Sequence, residues 1–241
     1  MPSLYAETLT VDDISSTLRG KMYDLYSQYF EATDRDRFER DLSQKTHTLF
    51  LYGESFALRG FSTLALYPFS LKDSSCQVVF SGDTIIHHNY WGQQMLPMKW
   101  IELTGVFKSQ QPDVPLYWFL IVKGYRTYRY LPLFAKQYFP NHREATPVLL
   151  QSILDQLART RFGDCYDATR GVIHFGRSMG HLAPEWAQIP ERVADRPDVR
   201  FFLQHNPGHL RGDELACITE LSLDNLRRRA CKYFENGLRQ C

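Results

Sequence analysis

The run "PLYWFLIV", Pro115 to Val122, has no charged residue, no glycine and no apolar–polar alternation. It is too short to span a bilayer, which takes about 20 apolar residues in a helix. It reads instead as a strand buried on both faces, of the kind found in the middle of a sheet. A chain with such a strand must supply covering layers from its other segments. With a hydrophobic share of 44% and a charged share of 23%, this one has the material for a real core.

Helical periods precede and follow the run. In "DDISSTLRGKMYDLYSQYF" the residues Ile14, Leu18, Met22, Leu25, Tyr26, Tyr29 and Phe30 fall on one helical face, with Asp12 or Asp13 as N-cap. Phe38 and Leu42 mark a second, short helix in "DRDRFERDLSQ". "THTLFLYG" and "FALRGFSTLALYPF" are β-rich and joined by "GES", a hairpin signature. The polar turn "SLKDSS" leads to a strand from Cys76 to Ile86, and a helix is expected over Gln93 to Lys108, ended by "SQQPDVP". After the buried strand, "YRTYRYLPLFAKQYF" predicts a helix with Pro132 near its first turn or at a kink. "ATPVLLQSILDQLAR" predicts another, with Thr146 as N-cap, Pro147 as first residue and a stripe of Leu150, Ile153, Leu154 and Leu157. Further on, "GVIHF" and "VRFFLQH" look like strands, with "APEWAQIPERVADRPD" as a loop holding a helical turn. "NPGHLRGDE" links into "LACITEL", so "VRFFLQH" and "LACITEL" form a hairpin on this reading. Ser222 would cap a last helix through Leu226, Ala230, Tyr233 and Phe234. The expected class is α/β, a mixed sheet flanked by helices, in one domain over 1–241: a core of about 12–160, then C-terminal strands and a helix over about 161–241.

Several classes of function are disfavoured. A net charge of +1 gives no overall field to attract nucleic acid or anionic lipid. The five cysteines (Cys76, Cys165, Cys217, Cys231 and Cys241) show no CxxC spacing, which suits free thiols in a reducing cytoplasm. "MPSLYAETLTVDD" lacks the pattern of a signal peptide, and no span is expected. No Walker loop, Rossmann glycine pattern, GxSxG or HExxH occurs. "HNPGHLRGDE" carries His205, Asn206, His209, Asp213 and Glu214, but in no zinc spacing; a Pro-Gly turn explains it, and no metal is expected.

The stretch "VVFSGDTIIHHNYWGQQ", Val78 to Gln94, is where chemistry is expected. Gly82 interrupts a strand, as glycine does at a bulge or a close backbone approach. A bulge there would splay this strand from "PLYWFLIV" and leave an edge to which an extended, amide-bearing ligand can pair. "HHNYWGQQ" then leads to a helix N-terminus, whose free N–H groups suit phosphate.

This order of a bulged strand, a turn, a helix, the strand "PLYWFLIVKG" and the helix "YRTYRYLPLFAKQYF", after a hairpin with "LRGFSTLALY", resembles the GNAT acyltransferase superfamily over roughly Leu18 to Pro140. The family's turn usually reads Gln/Arg-x-x-Gly-x-Gly/Ala; here Asn89-Tyr90-Trp91-Gly92-Gln93-Gln94 keeps only Gly92. The resemblance implies transfer of an acyl group, of fatty length if the aromatic share of 14% lines a tunnel, from a thioester to an amine. The donor would be acyl-CoA or an acyl-carrier-protein thioester, whose single phosphate needs a smaller cradle. The acceptor would be an amino acid, a polyamine, or a Lys or ornithine side chain of a peptide. Tyr90, Trp91, Gly92, Gln93 and Gln94, with Lys123 and Arg126, would meet the donor's phosphate.

Such a transfer needs a base with a pKa near the working pH, and His87 or His88 fits. On a strand, adjacent histidines point to opposite faces, so at most one would face a cleft. Asp83 would orient the base or hold the acceptor's ammonium, and unpaired amides would stabilise the oxyanion. Tyr125, Tyr128 or Tyr138 would protonate the leaving sulfur. The resemblance, in which a tyrosine on the helix after the fifth strand often takes that part, favours Tyr128. Each has a plain alternative: a backbone-bonded histidine, an aspartate capping a turn, a solvated basic helix face, and tryptophans that simply pack. Two other readings of the same stretch remain open: a GNAT-like module that binds a thioester or peptide without catalysis, and a hydrolase using Asp83, a histidine and water.

Overall fold

The computed structural model describes residues 4–71, 74–176 and 180–240. Cys241 and the Lys72-Asp73 part of the expected "SLKDSS" turn lie outside the described residues. In chain order the elements are β1 (Tyr5–Thr10), α1 (Ser16–Tyr26), β2 (Phe30–Glu31), α2 (Arg35–Leu42), β3 (His47–Tyr52), β4 (Leu58–Ser70), β5 (Ser75–Ile86), α3 (Met95–Gln110), β6 (Leu116–Val122), α4 (Tyr125–Tyr128), α5 (Tyr130–Phe134), α6 (Val148–Phe162), β7 (Tyr166–Asp167), β8 (Val172–Ile173), β9 (His181–Leu182), α7 (Pro184–Ala187), α8 (Glu191–Ala194), α9 (Pro197–His205), β10 (Glu214–Glu220) and α10 (Arg228–Leu238). This is the mixed α/β class expected. No described helix is long and apolar enough to cross a membrane.

The chain divides into two compact units. One unit holds 1–28, 34–117 and 221–241; the other holds 29–33 and 118–220.

In the first unit the strands run β1-β3-β4-β5, each antiparallel to its neighbour. The hairpin read across "GES" is present, with Leu58 opposite Tyr52. At the start of β5, the Gln77 amide donates to Pro115 O (2.8 Å) just ahead of β6, so the two strands set off side by side in one direction. Ser15 caps α1, its side chain accepting from Leu18 N, and Asp34 caps α2 in the same way from Arg37 N. Each such cap contributes about 1 kcal/mol. Asp12 and Asp13, expected as caps, sit in a 3-10 turn one step earlier. Helices α3 and α10 meet at backbone contact: a Cβ on Gly105 would collide with Phe234 O, and one on Gly237 with Glu102 O.

In the second unit the strand order is β6-β10-β8-β7, with β10–β8 and β8–β7 antiparallel, and β2 and β9 form a separate two-stranded sheet. β6 is buried along its length except at Ile121, which is half-buried, as its unbroken apolar run requires.

Several expectations need correcting. "VRFFLQH" is helix α9, not a strand, so it makes no hairpin with "LACITEL"; that segment is β10 and pairs with β8. Pro197 opens the helix and Asp198 lies in its first turn, a start signal that outweighs the β-leaning side chains. "YRTYRYLPLFAKQYF" is not one helix. It is α4 and α5, which stop at Phe134, with Pro132 in the middle of the second. Pro147, not Thr146, occupies the cap position of α6. Ser222 does not cap the last helix; its carbonyl accepts from Leu226 in a separate turn, and α10 begins at Arg228. β1 was not anticipated. Its mixed composition on the sheet edge gives no clean alternation.

Candidate functional site

The site in the first unit begins at a bulge. Between β4 and β5 the register passes from Ser62 opposite Thr84 to Leu64 opposite Ser81, so Thr63 alone faces the pair Gly82-Asp83. One extra residue on β5 bends the strand and leaves part of its backbone outside the ladder. Gly82 is the residue that permits this, because a Cβ there would collide with Thr63 Oγ1 and Lys45 Cε. Lys45 is the reason for the crowding. Its side chain is 1% exposed and lies against Gly82, while Nζ donates to Asp41 Oδ2 (2.7 Å) and Asp41 O (2.9 Å). Thr63 Oγ1 is buried there without a hydrogen-bond partner. Asp83 follows on the bulge, half-buried. Beside it, Ser62 Oγ and Thr84 Oγ1 share a hydrogen bond (2.7 Å).

β5 ends at Ile86, so the two histidines lie beyond the strand, in a 3-10 turn. They therefore do not point to opposite faces. Their rings stack with centroids 4.3 Å apart. His87 is held by its backbone N–H to Arg59 O (2.8 Å), and its Nδ1 accepts from Asn89 N (3.3 Å). Partial burial, then the neighbouring His88 and Arg59, push its pKa below the ordinary imidazole value of 6.5. With Nδ1 accepting, Nε2 carries the proton in the neutral ring; a base role requires the other tautomer or a break of the Asn89 contact. The Arg59 guanidinium sits 5.4 Å from the Tyr90 ring centroid, and Trp91 Nε1 donates to Ile86 O (2.7 Å), tying the turn back to the strand end. The structure thus sets His87 and Tyr90 against Arg59, with His88 stacked on His87.

Gly92 has φ +90°, a left-handed conformation that favours glycine at this turn. Gln93 and Gln94 then lead into α3. Gln94 holds the cap position without a side-chain bond to the helix. Gln93 does the capping instead: its Oε1 accepts from Met95 N (2.7 Å) and Leu96 N (3.3 Å). The amides expected to meet phosphate are therefore already engaged by a neutral side chain.

Lys123, Arg126 and Tyr128 belong to the second unit, and each is engaged there. Lys123 Nζ pairs with Glu214 Oε1 (3.4 Å) and lies 5.6 Å from the Phe30 ring centroid. Arg126 donates to Trp186 O (2.7 Å) and stacks on Tyr125. Tyr128 is fully buried, and its hydroxyl donates to Pro140 O (2.8 Å). Burial, with further contributions from Cys217 and Tyr138, raises its pKa well above the usual phenol value. Delivering that proton to a thiolate requires breaking the bond to Pro140.

Sequence reasoning missed Lys45 and Arg59. The signal for Lys45 was Asp41 four residues before it at the end of α2. The signal for Arg59 was hairpin register, which places it across from His87 once the bulge is counted. Among the described residues no group of three or more His, Cys, Asp or Glu could hold a metal ion.

No family model matches the sequence, and no curated protein matches it. Solved structures do match. An Enterococcus faecalis protein described as a probable N-acyltransferase shares 15% identity, covering 57% of this chain and 33% of that one, at a TM-score of 0.42. The chain thus spans about a third of that protein's length. A GNAT family N-acetyltransferase of Escherichia coli, solved with CoA, shares 13% identity over 54% of this chain and 69% of that one, at a TM-score of 0.38. An aminoglycoside acetyltransferase from an uncultured soil metagenomic sample, solved with sisomicin, shares 17% over 48% and 76%, at 0.35.

Proposed function

We propose that this protein is an N-acyltransferase that moves an acyl group from a thioester to an amine. The observation that carries the reading is the bulge at Gly82-Asp83, with the His87 imidazole just past the end of that strand and the Arg59 guanidinium on the facing strand. The bulge offers backbone groups that an extended pantetheine arm can pair with, and amides that stabilise the oxyanion of the attacked thioester. The acceptor enters as the free amine, its ammonium proton lost to solvent, and Asp83 accepts a hydrogen bond from its N–H. His87, its pKa lowered, gives up the Asn89 contact and takes at Nδ1 the proton that the amine loses on attack. The C–N bond forms, the C–S bond breaks, and the imidazolium returns its proton to the departing thiolate. Tyr128 has no part in this scheme, since its proton is committed to Pro140.

Arg59, rather than Lys123 or Arg126, is the cation placed to meet the donor's phosphate. Gln93 on the first amides of α3 supports a donor that brings one phosphate, an acyl-carrier-protein thioester, over coenzyme A with its pyrophosphate. A fatty acyl group and a peptide or amino-acid acceptor are the finer form of the reading. Mixing the protein with carrier-bound and CoA-bound acyl groups and a set of amines, and weighing the amines by mass spectrometry, tests it. Acylated amine that disappears with His87→Gln supports the proposal; no acylated amine from any donor removes it.

One observation favours a second reading. The pairing of Lys123 and Arg126 and the capping by Gln93 leave few groups for phosphate, as suits a module that holds a thioester or peptide without reacting it. Binding of a non-hydrolysable thioester analogue, with no turnover of the thioester itself, is its signature.

A further inference from the structure

The second unit contains a row of three chemically reactive side chains that the scheme above does not use. The registers run Glu214 opposite Ile173 opposite Tyr166, and Leu215 opposite Val172 opposite Asp167. The next row outward is Asp213, His174 and Cys165. The ladder continues into it: His174 N donates to Cys165 O (2.7 Å). That bond holds the Cys165 and His174 backbones against each other at the ends of their segments. Cys165 closes a 3-10 turn, and His174 and Asp213 lie one residue beyond the ends of β8 and β10.

The row holds a thiol, an imidazole and a carboxylate. His174 Nδ1 lies 3.0 Å from Asp213 Oδ2, with the imidazole 40% exposed and the carboxylate 14% exposed. With the proton of Nδ1 donated to Asp213, Nε2 keeps its lone pair. Asp213 is itself held in place. Its carbonyl accepts from Asn206 Nδ2 (2.8 Å), its N–H donates to Gly208 O (3.3 Å), and its carboxylate fills the space that a side chain at position 208 would need. Arg211, at 3.9 Å from Oδ2, is the other charged group beside it. Cys165 is a partly exposed free thiol.

We propose that Cys165, His174 and Asp213 form a thiol nucleophile site that accepts an acyl group from a thioester. His174 Nε2 takes the thiol proton and Sγ attacks the thioester carbonyl carbon. The Sγ–C bond forms, the donor's C–S bond breaks, and the proton passes from Nε2 to the departing thiolate. The products are S-acyl-Cys165 and one free thiol. Asp213 is a positioning residue that acts through the imidazole.

The probe is S-acetyl-N-acetylcysteamine, with no amine present, so the outcome does not depend on the amine transfer proposed above. Intact mass should show one acetyl group per chain, mapped to Cys165 by digestion and removed by neutral hydroxylamine. Cys165→Ala and Cys165→Ser should lack it. His174→Gln should slow its formation about a hundredfold, the scale of general-base assistance. Asp213→Asn should slow it too, with Asp213→Glu restoring part of the rate, which a purely structural carboxylate would not explain. No acetylation of the wild-type protein, acetyl on a different residue, or an unchanged rate in His174→Gln would each overturn the proposal.

Discussion

Gly82 controls the shape of β5 because its missing side chain is where Thr63 Oγ1 and the Lys45 stem fit. Gly82→Ala forces them apart and should destabilise the protein by about 1–3 kcal/mol, read from the denaturant midpoint. It should also lower amine acylation beyond what the lost stability explains, since the bulge itself is disturbed. Arg59→Ala removes the guanidinium beside Tyr90 and His87. It should raise KM for the thioester about tenfold, the scale of one exposed charge–phosphate contact, with kcat little changed. The histidines set a pH dependence of stability. His47, His87 and His209 all have pKa values pushed below 6.5 by burial. The unfolded chain therefore binds more protons than the folded one near and below that value. Their contribution is fully present above pH 6.5 and is lost as the pH falls through their folded values. Urea midpoints measured from pH 8 to pH 5 should decline on the acid side, and a flat profile would contradict the lowered pKa values.

At the level of elements, the α3–α10 crossing depends on two glycines whose backbones meet the facing helix. Backbone cannot yield as a flexible side chain can, so Gly105→Ala should cost about 1–3 kcal/mol and lower Tm in a thermal melt, with Gly237→Ala behaving alike. This contact was not legible from the sequence, because neither glycine breaks a helical period or signals its partner. Other elements were legible to differing degrees. β6 announced itself through an unbroken apolar run that nothing local could satisfy. α9 was misread because Val199, Phe201 and Phe202 suit a strand as well as a helix; Pro197 and Asp198 settled the matter, and they precede the apolar residues. β7 and β8, at two residues each, are too short to show a period. Their importance lies in the register they impose on Cys165 and His174, which is a tertiary fact.

For the whole molecule, the mixed α/β class was readable from the order of periods, and the division into two units was not. The first unit draws on three separate stretches of chain, and the closing helix returns to pack on α3. The candidate site was partly legible. Gly82, the histidines and Gly92 could be picked out along one stretch, because a bulge and a turn are written in neighbouring residues. Lys45 and Arg59 could not, because they reach that stretch from a preceding helix end and from the facing strand. The partners of Lys123 and Arg126, Glu214 and Trp186, come from far along the chain, which local reading does not supply. The central claim is that the protein joins acyl groups to amines, and release of free thiol from an acyl thioester at increasing amine concentration tests it most directly. The account predicts release that continues well beyond one equivalent per chain and rises with amine until it saturates. Release that is the same with and without amine, or that stops at one equivalent in both, would contradict it.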